Sequence, residues 1–202
     1  MEEKKTTTII SLYGGPGAGK STSAAYMYYL LKAAGENTEL VREYVKDWAW
    51  EGRKIDTYDQ IYFLGKQIHK ESMLFSKVKY LVTDSPIFMN YYYASLYCTR
   101  RLAEGVKAAV LAFYEQTLEE GHKHHHILLH RTKPYVRDGR YQTEDEALAI
   151  DDGVERMLRL LKIPGVVHCN SSEEDLKNVW EKIIKPGVPA SPTALDMRTI
   201  SV

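Results

Sequence analysis

The chain has 202 residues, of which 44% are hydrophobic and 27% are charged, a composition typical of one globular domain and not of a disordered chain. Lysine and arginine together number 27, as do aspartate and glutamate, so the formal net charge is zero and provides no global attraction for nucleic acid. The sequence contains no apolar run of about 18 residues, as a membrane span needs, and its first residues lack the apolar stretch of a secretory signal. We therefore expect a cytoplasmic protein with no membrane partner.

Strand-like and helical segments alternate along the chain. Short β-branched or apolar runs predict five strands, at residues 6–13, 38–43, 79–83, 126–130 and 165–169. Apolar residues spaced three or four apart predict helices between and after them, at residues 20–34, 57–77, 87–97, 102–120, 150–161 and 171–185. Because parallel strands need helical crossovers, this order predicts one α/β domain with a five-stranded, mainly parallel sheet and helices on both faces.

Local patterns mark the later part of this domain. A Ser-x-x-Glu pattern at Ser171–Glu174 predicts a capping box at the start of the last helix. A polar, arginine-rich stretch at about residues 131–146 separates the fourth strand from the helix that follows it. Three prolines within residues 186–192 predict that a domain of residues 1–185 is followed by a loosely docked tail over residues 186–202.

Residues 14–21 match the P-loop pattern G-x-x-x-x-G-K-S in full, between a predicted strand and a predicted helix. The glycines let backbone amides converge on one point, and the helix N-terminus and Lys20 add positive charge, so the loop is expected to hold the β- and γ-phosphates of a nucleotide. The Ser21 hydroxyl is then an expected ligand of Mg²⁺, which prefers oxygen. The residues expected to bind ATP are Gly15, Pro16, Gly17, Ala18, Gly19, Lys20, Ser21 and Thr22.

Asp84 directly follows the third predicted strand. Ligands of doubly wound folds collect at the carboxyl edge of the sheet, so Asp84 is placed to share a Mg²⁺ ion with Ser21. The sequence Asp-Ser-Pro is also a good helix start, and Asp84 is alternatively an N-cap for the next helix. The two roles are compatible.

A run of histidines at residues 122–126 leads into the fourth predicted strand, which ends at His130. Alternate strand residues share a face, so His124 and His126 are expected on the same side. The sequence offers no partner at helical spacing to complete a metal site. We therefore predict that the run is a solvated strand entrance.

Taken together, the P-loop, Glu43 at the end of the second strand and Asp84-Ser-Pro after the third resemble the nucleoside and nucleotide kinase branch of P-loop proteins. More narrowly, Arg42–Trp48, Tyr58-Asp59 and Gly65–Gln67 resemble the ribosylnicotinamide-kinase-type domain and related small AAA-type ATPase proteins, many of them encoded by phages. The resemblance spans about residues 7–185. It implies a P-loop kinase-like fold, ATP and Mg²⁺ as cofactors and, for a phage protein, the host cytoplasm as its location.

The resemblance also implies roles for charged residues. Glu43 becomes the candidate general base that accepts the proton of the acceptor hydroxyl, with Asp84 as the competing candidate. Alternatively, Glu43 is only a salt-bridged residue at a strand end.

In the kinase branch, the segment after the fourth strand is a lid. Here Arg131 and Arg137 are the candidate catalytic arginines that stabilise the migrating phosphoryl group, and Gly139 offers a hinge. The same segment also contains Lys133 and Arg140. Alternatively, it is a solvated loop whose arginines take no part in the reaction.

Aromatic residues collect near the acceptor side that the resemblance implies. They are Tyr44, Trp48, Trp50 and the run Tyr91–Tyr93. Such rings either stack on a nucleobase or are half-buried helix residues with surface hydroxyls, and the sequence leaves both open.

These features favour an ATP-dependent kinase that transfers the γ-phosphoryl group to a hydroxyl of a small nucleoside- or nucleotide-type acceptor. The third strand ends in Thr83-Asp-Ser-Pro, whereas the ribosylnicotinamide kinase pattern has Asp-Thr-Asp, so the sequence does not imply nicotinamide as part of the acceptor. One alternative is a phage kinase that acts on 5-hydroxymethyluracil in polymeric DNA. Another is a P-loop ATPase or GTPase switch that signals to a partner.

Overall fold

The computed structural model describes residues 5–138 and 140–184. Five strands in this part of the chain form one parallel sheet in the order β2-β3-β1-β4-β5. They are β1 (Thr8–Tyr13), β2 (Thr38–Val41), β3 (Tyr80–Thr83), β4 (Lys123–His130) and β5 (Val166–Asn170). The predicted parallel sheet is confirmed, with β1 at its centre.

Helices cover both faces of this sheet, as the sequence predicts. They are α1 (Lys20–Ala33), α2 (Val45–Trp50), α3 (Asp59–Ser72), α4 (Ile87–Tyr97), α5 (Arg100–Glu119), α6 (Glu144–Leu160) and α7 (Glu173–Val179), which continues as a π-helical turn over Trp180–Ile184. The helix α2 is not predicted from the sequence. It spans only six residues and buries none of them, so it has no apolar period to detect.

The core lies on the two faces of β1, whose side chains alternate between them. Ile10 and Leu12 pack on one face with Met27 of α1 and Leu176 of α7. Tyr13 packs on the opposite face, among apolar residues of α3, α4, α5 and α6. Burial on both faces explains why β1 is apolar along most of its length, and it holds the loop after β1 on a rigid base.

The caps of the last two α-helices differ from the sequence prediction. The N-cap of α7 is Ser172, whose side chain accepts a hydrogen bond from the Asp175 amide, so the predicted capping box at Ser171–Glu174 is wrong by one residue. Ser171 instead hydrogen-bonds through its hydroxyl to Thr132. A full capping box forms between Thr143 and Glu146 at the start of α6. The irregular segment after β4 therefore ends at Thr143, before the predicted lid boundary at residue 146.

The histidine run is not a solvated strand entrance. β4 already begins at Lys123, and His122 and His126 are buried. His126 Nδ1 is 2.9 Å from the Tyr13 hydroxyl, and burial lowers its pKa to about 4. His124 and His126 do share a face, with their rings stacked. Both rings pack against Tyr114 and stay neutral because burial lowers their pKa, and His126 belongs to the core.

Two predicted features, the hinge at Gly139 and the tail at residues 186–202, lie outside the residues that the structure describes. No helix in the described ranges is both long and apolar enough to cross a membrane.

A buried carboxyl group on α3 makes the stability of the fold depend on pH. Glu71 is 3% exposed, accepts a hydrogen bond from Gln67 Nε2 at 2.6 Å, and has its pKa raised to about 7 by burial. The carboxyl pKa in the unfolded chain is the ordinary 4.5. Between these values the folded chain binds more protons than the unfolded chain, so stability falls as pH rises through this range.

Glu71→Gln is therefore expected to stabilise the protein at pH 8 by about 1–3 kcal/mol and to change little at pH 4. The glutamine oxygen still accepts the bond from Gln67, while the charged form that burial penalises is removed. Urea unfolding at the two pH values measures the difference. Glu119→Gln, at an exposed position of α5, is the control, and an equal effect of Glu71→Gln at both pH values would contradict the assignment.

Candidate active site

The P-loop connects β1 to α1 and holds its lysine against its own backbone. Lys20 Nζ donates hydrogen bonds to the carbonyl oxygens of Gly14 at 2.7 Å and Gly15 at 3.0 Å. Burial lowers the pKa of Lys20, and the nearby carboxylates of Glu43 and Asp84 partly oppose that shift. The ammonium group thus lies in the loop, close to two carboxylates at the same edge of the sheet.

Other segments of the chain pack directly on the backbone of the loop at Gly15 and Gly17 and leave little room for a side chain. Gly17 has a φ of 79°, and a Cβ atom there would be 2.9 Å from Arg131 Nη1. At Gly15, a Cβ atom would be 2.6 Å from Asp151 Oδ1 and 2.7 Å from the Ala147 carbonyl oxygen. The helix α6 and Arg131 therefore form part of the phosphate loop's immediate support.

The carboxyl ends of β2 and β3 bring Glu43 and Asp84 together. Asp84 is 2% exposed, and its Oδ1 accepts a hydrogen bond from the Glu43 amide at 2.7 Å. Asp84 does not cap α4, because the N-cap residue is Pro86 and no side chain makes a capping bond there. The bond to Glu43 uses one oxygen of the Asp84 carboxylate and leaves the other for a ligand.

The Glu43 side chain lines the cavity next to the P-loop. Burial raises its pKa, the positive charge of Lys20 lowers it, and the negative charge of Asp84 raises it further, with a net rise. A carboxylate whose pKa moves toward neutrality is a better proton acceptor at physiological pH. The electrostatics of this position therefore suit a general base, and no salt bridge of Glu43 occurs among the described residues.

A cavity of about 350 Å³ opens beside the P-loop. Its walls come from the loop and the start of α1, from α2, α3 and α4, and from the segment after β4. P-loop residues in its lining include Pro16, Gly17, Gly19, Lys20, Ser21 and Thr22; the facing walls include Glu43, Lys46, Gln60, Phe63, Asn90, Tyr93, Lys133 and Arg140. A volume of this size accommodates a small organic acceptor.

The segment after β4 reaches over the cavity, and its basic residues have different positions. Lys133 and Arg140 line the cavity, whereas Arg137 is exposed and outside the lining. Tyr141 anchors the segment across the cavity by donating its hydroxyl to the Arg53 carbonyl oxygen at 2.7 Å. The structure thus brings Arg140 to the cavity and leaves Arg137 in solvent.

Arg131 packs against the P-loop, where hydrogen bonds to Pro16 and Asp151 hold its guanidinium group. Its Nη2 donates to the Pro16 carbonyl oxygen at 2.9 Å and to Asp151 Oδ2 at 2.8 Å, and its Nε donates to the same carboxylate oxygen at 3.2 Å. The remaining nitrogen, Nη1, is buried next to Gly17 and has no partner in the described part of the chain. One arm of the guanidinium is therefore left for an anion held by the loop.

Asp151 on α6 joins the P-loop to Arg131, and the sequence analysis did not identify it. Its Oδ1 accepts a hydrogen bond from the Gly15 amide at 2.6 Å while its Oδ2 holds the Arg131 guanidinium. Asp151 belongs to no sequence motif, and only the packing of α6 on the loop brings it to the site.

For a phosphoryl-transfer reaction at this site, Asp151→Asn is expected to lower the rate by about 10- to 100-fold, because Arg131 loses the charge that orients it. If Asp151 affected the site only by repelling the phosphates, removing its negative charge would tighten ATP binding and leave the rate unchanged. Steady-state kinetics separate the two effects as changes in kcat and KM. Asp152→Asn, at the exposed neighbouring position, is the control and is expected to change neither.

Comparisons with known proteins bear on the fold. The chain is similar to NadR in complex with NR, with a TM-score of 0.66 and 14% identity, over 87% of this chain and 51% of that one. For NadR in complex with NAD and AMP-PNP, the TM-score is 0.62 at 12% identity, over 87% and 49% of the two chains. The chain thus spans about half the length of NadR. A thymidylate kinase from Candida albicans has a TM-score of 0.56 at 12% identity, over 87% and 90% of the two chains.

At these identities the solved structures show the fold, which is that of a P-loop kinase-like protein. No curated protein matches the sequence. A family model described as an AAA domain matches residues 9–174, which is most of the chain and includes the P-loop, Glu43, Asp84 and Asp151. The chain belongs to this AAA domain family.

Proposed function

We propose that the protein is a kinase that transfers the γ-phosphoryl group of ATP to a hydroxyl group of a small nucleoside-type acceptor. The observation that carries the proposal is Glu43, a carboxylate with a raised pKa that lines the cavity beside the P-loop lysine. A hydroxyl acceptor must lose a proton during transfer, and Glu43 is placed to accept it. The kinase-like fold and the nucleotide analogue bound by NadR support the same reaction class.

The acidic edge of the sheet favours a hydroxyl over a phosphate as the acceptor group. Glu43 and Asp84 lie together at the ends of β2 and β3, so an acceptor phosphate beside them would need the basic residues of the cavity to offset their negative charge. A hydroxyl is neutral and benefits from a nearby base. We therefore place a nucleoside, and not a nucleotide, first among the acceptors to be tested.

The residues present fit a magnesium ion. The Ser21 hydroxyl in the cavity lining and the second carboxylate oxygen of Asp84, which the Glu43 amide leaves unused, are oxygen donors, and Mg²⁺ prefers such donors. When bound, the ion would neutralise phosphate charge. Ser21 and Asp84 would hold it, while Lys20 and the loop amides bind the phosphates.

Arg131 contacts the P-loop outside the cavity lining and would support the reaction from there. Asp151 and the Pro16 carbonyl oxygen hold its guanidinium, and its unpaired Nη1 lies beside Gly17, so its positive charge is fixed next to the loop that would bind the phosphates. Arg140 and Lys133 in the cavity lining are placed to add charge from the lid. Arg137, exposed in this structure, has no part in the proposed mechanism.

The test is transfer of label from γ-labelled ATP, with Mg²⁺, to two acceptors in parallel. One is a pool of free nucleosides and nucleotides, and the other is DNA that contains 5-hydroxymethyluracil. Label in the nucleosides supports the proposal, and label only in the polymer replaces the small acceptor by a DNA base. ATP binding without label in either acceptor would overturn the kinase and favour a nucleotide-dependent switch.

A further inference from the structure

One face of α4 forms a wall of the cavity next to the proposed base. Asn90, Tyr93 and Tyr97 follow one another at a spacing of three and four, so they share this face, and all three line the cavity. Asn90 lies about one helical turn after Pro86, close to the end of β3 that carries Asp84. The wall is therefore continuous with the reactive edge of the sheet.

Asn90 has a buried amide nitrogen without a hydrogen-bond partner. The residue is 8% exposed, and Nδ2 has no acceptor within the described ranges of the chain. An unpaired buried amide destabilises a fold, and native proteins rarely leave one unpaired. Nδ2 itself is closed to solvent in the free protein, but Asn90 lines the cavity, so a change of its side-chain rotamer on binding lets a molecule bound there supply the missing acceptor atom.

The surroundings of Asn90 in the cavity suit a flat, uncharged ring. Phe63 and Gln60 line the cavity from α3, and Tyr93 and Met89 line it from α4. Phe63 is held in place by Trp48, with ring centroids 4.9 Å apart at 78°. Aromatic and thioether groups provide apolar contact for a ring, and amide groups bind its polar edge without requiring charge.

We propose that Asn90 is a specificity-determining residue that donates a hydrogen bond from Nδ2 to an oxygen on the edge of an uncharged nucleobase. This inference rests on the proposed function in that the ring belongs to the acceptor nucleoside. The amide of Asn90 selects rings that carry a carbonyl oxygen, such as those of uridine, thymidine and inosine. Ribose alone lacks a nucleobase, so it cannot accept this hydrogen bond, and Asn90 adds nothing to its affinity.

The energetics of the free protein separate this role from a structural one. Leucine has nearly the shape of asparagine and no polar group, so Asn90→Leu removes an unpaired amide and is expected to leave the thermal unfolding midpoint unchanged or raised. If Asn90 were instead a structural residue with hydrogen-bond partners, Asn90→Leu would lower the unfolding midpoint. Asn178→Leu, at an exposed position of α7, controls for the substitution itself.

The test measures binding by calorimetry without ATP, using uridine, thymidine, inosine and ribose as probes. The unchanged protein is expected to bind at least one of the three nucleosides and to bind ribose at least tenfold more weakly. Asn90→Leu is expected to weaken nucleoside binding at least tenfold, to bind Mg·AMP-PNP within twofold of the unchanged protein, and to keep its unfolding midpoint.

Equal nucleoside binding by Asn90→Leu and the unchanged protein would overturn the inference, as would a midpoint lowered by several degrees or no binding of any of the three nucleosides. The label-transfer experiment is independent of these results. Nucleoside binding that depends on Asn90 without phosphoryl transfer would support the ring site and overturn the kinase. Phosphoryl transfer that proceeds equally in Asn90→Leu and in the unchanged protein would support the kinase and overturn the ring site.

Discussion

Glu43→Gln is expected to bind Mg·ATP as the unchanged protein does and to transfer the phosphoryl group about 10²- to 10⁴-fold more slowly. The amide is nearly isosteric with the carboxylate and cannot accept the proton of the acceptor hydroxyl. Single-turnover transfer at saturating ATP, together with the Kd for Mg·AMP-PNP, separates loss of chemistry from loss of binding. The matched control is Glu39→Gln, a glutamate on β2 whose partner is Lys32.

The pH dependence of the unchanged protein gives a second measure of the same role. Burial raises the pKa of Glu43 above the ordinary 4.5, and the base must be deprotonated to act. The rate is therefore expected to fall as pH decreases through the raised pKa and to be constant above it. Glu43→Gln is expected to lack this acidic limb.

Asp84→Asn distinguishes the two candidate bases. If Glu43 is the base, Asp84→Asn is expected to weaken Mg²⁺ binding, because the amide is a weaker metal ligand, and higher metal concentration is expected to restore part of the transfer rate. Normal transfer by Glu43→Gln, combined with a loss in Asp84→Asn that magnesium does not rescue, would assign the base to Asp84 and contradict the proposed mechanism.

Lys20→Ala is expected to weaken ATP binding about 100-fold and to abolish measurable transfer. The variant removes the charged hydrogen-bond donor in the loop, and such a bond contributes up to about 3 kcal/mol. Binding of fluorescent ATP and of the corresponding nucleoside, which lacks phosphates, measures the effect. The weakening should appear only for the phosphorylated ligand.

Lys32→Ala, on the exposed side of the same helix, is the control for Lys20→Ala. Its ATP affinity should match that of the unchanged protein. Near-normal ATP binding by Lys20→Ala, with an unchanged unfolding midpoint, would show that the loop does not hold the phosphates and would remove the basis of the proposed function.

Local patterns in the sequence were sufficient to predict which residues form the central part of the candidate site. The P-loop is recognisable because its glycines and lysine are consecutive, and a strand and a helix on either side fix how that backbone runs. Glu43 and Asp84 follow strands of a parallel sheet, whose carboxyl ends meet at one edge, and the structure joins them through a hydrogen bond. The spacing of apolar residues was sufficient to predict the order of strands and helices along the chain.

Only the tertiary structure decided which of the remaining polar residues reach the site. Arg131, Arg137 and Arg140 look alike in the sequence, yet the packing of α6 fixes Arg131 beside the loop, and the path of the segment brings Arg140 to the cavity and leaves Arg137 exposed. Asp151 and Asn90 resemble ordinary helix residues until α6 and α4 are packed on the sheet. Sequence by itself determined the phosphate loop and the sheet because both depend on neighbours in the chain, whereas the contacts of Asp151 and Asn90 depend on elements far apart in it.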